Sequence, residues 1–209
     1  DVAFLLRVNK MLVPLDSFGG PTRFPFECYP IGGTRTTKAE LVELFEYARA
    51  RGIEPIPYFA SWGRVQYLKV APGMVDLLVD DEDVLQGGYR NLDVARPETH
   101  EVMLKLQEEI IETLHPESFC IAMDEAHYGH MVTSPAAKAR GWKPSDWFVE
   151  ALNVNAESLR AKGVRMYIWG DMIDPGQNGR QMDMSGPELL ARLPKDMAIL
   201  DWKYDGSHE

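Results

Sequence analysis

Apolar positions along the chain switch repeatedly between a helical and a strand-like period. Thr36, Thr37 and Glu40 open a helix in which Leu41, Leu44, Phe45 and Ala48 recur at helical spacing up to Gly52. Pro97 suits a first helical turn and starts a second helix that runs to about His115. Further helices are expected over 145–162 and 186–193, and residues 1–9 read as the end of another. Short runs with strand character fall at 11–16, 53–59, 119–124, 164–169 and 198–202. Pro55 and Pro57 each remove a ladder donor from the second of these, and residues 61–95 read as a long irregular connection.

Strand and helix thus alternate about five times with no tight hairpin signal between strands, which is the pattern of a parallel sheet with crossover helices. A complete eight-unit barrel needs about 250 residues. The 209 residues are therefore expected to supply part of one (β/α)8 TIM barrel, a single domain over 1–209. The opening at Asp1, already in an apolar pattern, reads as the middle of a longer fold. The strands at 11–16 and 198–202 are then expected to be unpaired on their outer sides. An open doubly wound sheet is the competing architecture. It would normally carry a Gly-rich phosphate turn, and neither Gly19-Gly20-Pro21 nor Gly32-Gly33-Thr34 has that spacing.

Composition narrows the function classes. Apolar residues make up 45% of the chain, enough for a sizeable core, and the formal net charge of −10 repels phosphate backbones, so a nucleic-acid partner is not expected. No apolar run approaches the roughly 20 residues of a membrane-spanning helix. Cys28 and Cys120, the two cysteines, exclude a disulfide scaffold and a cysteine-rich zinc site. No sequence feature requires a cofactor.

Side chains alternate across a strand, so each run splits into two faces. Phe119, Ile121 and Met123 share one face and Cys120, Ala122 and Asp124 the other; Arg165, Tyr167, Trp169 and Asp171 are expected to point inward, as are Leu12, Pro14 and Asp16. Several strands thus end on an inward carboxylate or tryptophan at the end where parallel α/β folds build their sites. The plain alternative is that polar residues only mark where strands stop, and that Trp62, Trp169 and Trp202 are core. If the three tryptophans share one mouth, flat aromatic walls beside carboxylates suit the faces and hydroxyls of a sugar. The Asp124-Glu125 pair lies at the centre. Both can meet one ligand only if Glu125 has turned into the loop, and a partly desolvated carboxyl of such a pair can hold a proton for general acid work.

These residues resemble family 20 glycoside hydrolases, the β-N-acetylhexosaminidases and their relatives, whose catalytic domain is a (β/α)8 barrel. The likeness runs in order through Phe24-Pro25-Phe26-Glu27-Cys28-Tyr29-Pro30, Thr37-Lys38-Ala39-Glu40-Leu41, and Tyr47-Ala48-Arg49-Ala50-Arg51-Gly52-Ile53-Glu54-Pro55-Ile56-Pro57. It continues at Gly63 and Tyr67, Asp124-Glu125, Trp169-Gly170-Asp171 and Trp202. The resemblance implies hydrolysis of N-acetylhexosamine-containing glycans, with the substrate's own acetamido group as nucleophile. Asp124 would orient that group and Glu125 would protonate the leaving oxygen. Asp16, Trp62, Arg64, Tyr167, Trp169, Asp171 and Trp202 are the expected substrate-binding set. The resemblance also implies that the first strand and the last two strands of the barrel lie outside these residues. Two departures stand out: the family's His-x-Gly-x-Asp-Glu reads Cys120-Ile121-Ala122-Met123-Asp124-Glu125 here, and its Gly-His pair reads Gly63-Arg64. Two hydrogen-bond partners of the site are thereby replaced.

Two other classes compete. Asp124, Glu125, His127 and His130 place four candidate metal ligands within seven positions, though at no established zinc spacing. A carbohydrate-binding relative without turnover would accommodate the replaced histidines. The acidic run Asp80-Asp81-Glu82-Asp83 reads as a solvated loop, and Cys120 as a small inward hydrophobe.

Overall fold

A computed structural model describes residues 3, 6–16, 22–29, 31, 36–71, 73–78, 91–126 and 131–202. The glycine turns at 19–21 and 32–34, the acidic run 80–83, His127 and His130 lie outside the described residues. Five strands, β1 (Lys10–Pro14), β2 (Glu54–Tyr58), β3 (Ser118–Cys120), β4 (Arg165–Trp169) and β5 (Ala198–Leu200), form one sheet in chain order. Every neighbouring pair is parallel. The crossovers carry α1 (Lys38–Arg49), α2 (Pro97–Leu114), α3 (Pro135–Ala139), α4 (Pro144–Ala161) and α5 (Gly186–Arg192). The architecture is that of a partial (β/α)8 barrel, and β1 and β5 are the outer strands among the described residues. No described helix is long and apolar enough to cross a membrane.

The helix starts follow the sequence signals. Thr37 caps α1, its hydroxyl accepting from the Glu40 N–H at 3.2 Å while the Glu40 carboxylate accepts from the Thr37 N–H at 2.8 Å. Proline occupies the first turn of α2, α3, α4 and α5, where its missing donor costs nothing. The expected irregular stretch after β2 contains 3-10 turns at Gln66–Val70 and Val75–Leu77, and α3 was not visible in the periodicity because one and a half turns carry too little pattern.

The prolines of β2 have a directional effect. The Glu54 N–H donates toward β1, to Asn9 O at 2.9 Å, and the Phe59 N–H toward β3, to Cys120 O at 2.9 Å. Alternation therefore aims positions 55 and 57 at β3, where proline has no donor, and β2 pairs with β3 only through Tyr58 and Cys120. β1 meets β2 along its whole length.

The two faces separate as the alternation requires. Val13, Phe119, Met166 and Ile168 join the large core between sheet and helices. Ile56, Cys120 and Tyr167 pack with Leu12, Tyr58, Ala198 and Leu200 on the inner face. A buried polar bridge ties the layers: Gln107 of α2 donates to Ser61 Oγ at 2.8 Å and to Asn155 Oδ1 of α4 at 2.6 Å. Asn155 in turn donates to Ala151 O at 2.7 Å. Gln107→Leu keeps the volume but orphans Asn155 Oδ1, and is expected to cost about 1–3 kcal/mol in denaturant unfolding. The double variant Gln107→Leu/Asn155→Leu is expected to recover part of that loss; a single variant as stable as the parent protein would contradict the bridge.

Candidate active site

Strand β3 ends at Cys120, four residues earlier than the sequence reading, and the reason is local. Ala122, Met123 and Glu125 have φ of 64°, 73° and 47°, a left-handed turn that no strand can continue. It is held by its neighbours, with the Trp169 N–H donating to Ala122 O at 2.9 Å and the Glu125 N–H to Asp171 Oδ2 at 2.9 Å. The turn brings Asp124 and Glu125 to the same cleft instead of opposite faces.

That cleft, about 600 Å3, is lined by Leu12, Pro14, Tyr58, Arg64, Asp124, Glu125, Trp169 and Trp202. It opens at the C-terminal ends of the strands, over the inner apolar face. The loop carrying Arg64 sits close because position 63 is glycine: a Cβ there would lie 2.9 Å from Ala126 Cβ. Gly170 plays the same part for Trp169, since a Cβ would meet Ile199 of β5 at 2.8 Å. Tyr58 and Trp169 pack with ring centroids 6.5 Å apart, tilted by 57°.

Charge is distributed unevenly over the pair. The Arg64 guanidinium bridges both carboxylates, bonding Asp124 Oδ2 and lying 3.2 Å from Glu125 Oε2. The Tyr58 hydroxyl donates to Asp124 Oδ1 at 3.3 Å. The Asp124 side chain is 10% exposed and that of Glu125 is 37% exposed. Burial raises Asp124 above the ordinary carboxylate range, the Arg64 charge opposes that, and the Asp171 charge adds to it. The desolvated member of the pair is thus Asp124, and Glu125 is the one that faces the opening. Asp16 is likewise pushed up, to about 6, by burial and then by the Asp124 charge, while backbone hydrogen bonds and Arg64 hold it back.

Of the expected binding residues, Arg64, Trp169 and Trp202 line the cleft with Asp124 and Glu125. Trp62 does not. It is fully buried in the core between sheet and helices, edge-on to His100 at 5.4 Å. Tyr167 belongs to the inner core, its ring flanked by Lys10 Nζ and Arg165. Asp171 is fully buried behind the turn and absent from the lining. Asp16 is half-buried and coupled to Asp124 and Arg64, outside the lining itself. Sequence reasoning missed Tyr58; the signal was its place at the C-terminal end of β2 on the same face as Ile56. Among the described residues no cluster of three His, Cys, Asp or Glu side chains is arranged for a metal.

The described residues thus form a parallel α/β barrel segment that carries paired carboxylates and two tryptophans at its strand ends. The profile of Glycosyl hydrolase family 20, catalytic domain, matches residues 20–209, and the chain belongs to that family. No curated protein matches it in sequence at a significant level. Among solved structures it is similar to a beta-N-acetylhexosaminidase from Bacteroides fragilis, with 19% identity and a TM-score of 0.74, covering 99% of this chain and 42% of that one. It is also similar to a Flavobacterium johnsoniae chitobiase, with 15% identity and a TM-score of 0.72, covering 96% and 34%. A third is an exo beta-N-acetylglucosaminidase from Vibrio harveyi in complex with N-acetylglucosamine, with 19% identity and a TM-score of 0.68, covering 97% and 34%. The chain spans less than half the length of each of these three.

The raised Asp16 predicts a pH signature. Its folded value of about 6 lies above the unfolded 3.8, so the folded state holds the extra proton between them and loses stability as pH rises through that window. Asp16→Asn removes the effect: its stability relative to the parent protein is expected to climb between about pH 4 and pH 6.5 in thermal melts. A difference that does not change with pH would contradict the assignment.

Proposed function

We propose that this protein hydrolyses glycosidic bonds of N-acetylhexosamine residues by substrate-assisted, retaining chemistry. The observation that carries the reading is the Asp124-Glu125 pair facing one cleft beside Trp169 and Trp202, with the acid candidate at the opening and its partner buried. The acetamido oxygen attacks the anomeric carbon as the bond to the leaving oxygen breaks, and Glu125 gives that oxygen its proton. Asp124 aligns the acetamido N–H and stabilises the oxazolinium charge, an interaction strengthened by its low-dielectric surroundings. Water then attacks the anomeric carbon as its bond to the acetamido oxygen breaks, delivering its proton to Glu125 and closing the cycle with retention. Trp169 and Trp202 supply apolar walls for the acetamido methyl and the sugar face.

The Arg64 bridge supports a second reading, sugar binding without turnover, because a carboxylate paired with a guanidinium must give up that ion pair before it can serve as an acid. Kinetics separate the two. Glu125→Gln is expected to lower kcat on substrates with poor leaving groups by about 10²–10⁴-fold and to spare activated aryl glycosides at the first step. Asp124→Asn is expected to impair both kinds of substrate, removal of the N-acetyl group to abolish most turnover, and a thiazoline mimic of the ring to inhibit. A chelator-sensitive enzyme indifferent to the thiazoline would point to metal hydrolysis. Sugar affinity without turnover would point to the binding reading.

A further inference from the structure

Glu125 sits in a conformation that L-residues avoid, and so do Ala122 and Met123 just before it. Each such residue costs on the order of 1–3 kcal/mol and persists only where its surroundings hold it. The side chain that holds Glu125 comes from the next βα loop. Asp171 is fully buried, and its Oδ2 accepts two hydrogen bonds, from the Glu125 backbone N–H at 2.9 Å and from Asn178 Nδ2 at 2.8 Å. Its other oxygen, Oδ1, is buried with no hydrogen-bond partner among the described residues. Asn178 is in turn fixed by Gln181, which donates to Asn178 Oδ1 at 3.1 Å. A chain of side chains therefore runs from the 3-10 turn Asn178–Gln181 through Asp171 to the backbone of Glu125.

We propose that Asp171, braced by Asn178, is a positioning residue that clamps the left-handed turn at Glu125 and so aims its carboxyl at the leaving oxygen. This rests on the reading of Glu125 as the acid and base. Asp171 does not line the cleft, so substrate contact is not its role. Both hydrogen bonds fall on one oxygen, which separates geometry from charge: asparagine can place its Oδ1 where Oδ2 stands, keep both acceptor contacts, and put its amide where the unpartnered oxygen was. Alanine keeps neither contact. A purely electrostatic role, for instance through the like charge on Asp124, would make the two variants equally damaging.

The test uses the full-length protein with an alkyl N-acetylhexosaminide, an aryl N-acetylhexosaminide and backbone amide exchange of the segment containing Glu125. D171A is expected to lose about 100-fold in kcat on the poor leaving group while KM moves by less than about threefold, since misaiming by about 1 Å costs that much and binding is untouched. Exchange at the Glu125 amide is expected to accelerate in D171A. D171N is expected to recover to within about tenfold of the parent enzyme with slow exchange restored. A D171A kcat within threefold of the parent, unchanged exchange at Glu125 in D171A, or a D171N as impaired as D171A would each overturn the proposal. If D171A does not fold, N178A serves in its place at a half-buried position: a several-fold fall in kcat at constant KM supports the clamp, and an unchanged kcat overturns it. E125Q is measured alongside. Full activity in E125Q removes the acid assignment, while the exchange comparison still decides whether Asp171 holds the turn.

Discussion

Adjacent residues in a strand point to opposite faces, and the site depends on escaping that rule. Asp124 and Glu125 face one cleft because the chain leaves the strand at Cys120 and passes through three left-handed residues before and at Glu125. The escape costs backbone strain, and the surrounding structure offsets it. β4 contributes the Trp169 N–H to Ala122 O, and the loop after β4 contributes Asp171. The parallel pairing of β3 with β4 is therefore what makes the turn affordable at this point in the chain. Fold and chemistry meet there.

The same constraint organises the electrostatics. Turning both carboxylates to one side sets like charges together, with Asp16 and Asp171 close behind, in a partly apolar setting. A single guanidinium, Arg64, bridges the pair. Its own residue is left-handed, with φ of 58°, and the tight contact of Gly63 with Ala126 sets its loop against the turn. Arg64 stands where the family's histidine is expected, and a guanidinium remains charged at every working pH where an imidazole does not.

The alternation of periods made the fold class legible, and strand faces could be assigned wherever a regular strand was present: Leu12, Cys120 and Tyr167 lie inside as their parity requires. Parity failed beyond Cys120, where left-handed residues other than glycine leave no mark in the hydrophobic pattern. It also misplaced Trp62, since a residue in an irregular connection has no face to read, and the buried tryptophan packs as core. Asp171 follows Trp169 at the end of β4 as the sequence pattern has it, but spacing alone does not show that its carboxylate is buried against the backbone of Glu125. Tyr58, at the end of a strand whose prolines blur the strand pattern, carries no mark in the sequence of its reach to Asp124.

Participation of the substrate's acetamido group, aligned by buried Asp124, is the central claim. The most direct measurement is the turnover of a series of N-acetylhexosaminides with none, one, two and three fluorines on the acetyl methyl group and one common aryl leaving group. Fluorine withdraws electrons from the attacking oxygen without changing the leaving group. With the acetamido oxygen as nucleophile, kcat/KM falls at each step of the series; rates that do not depend on fluorination would contradict its participation.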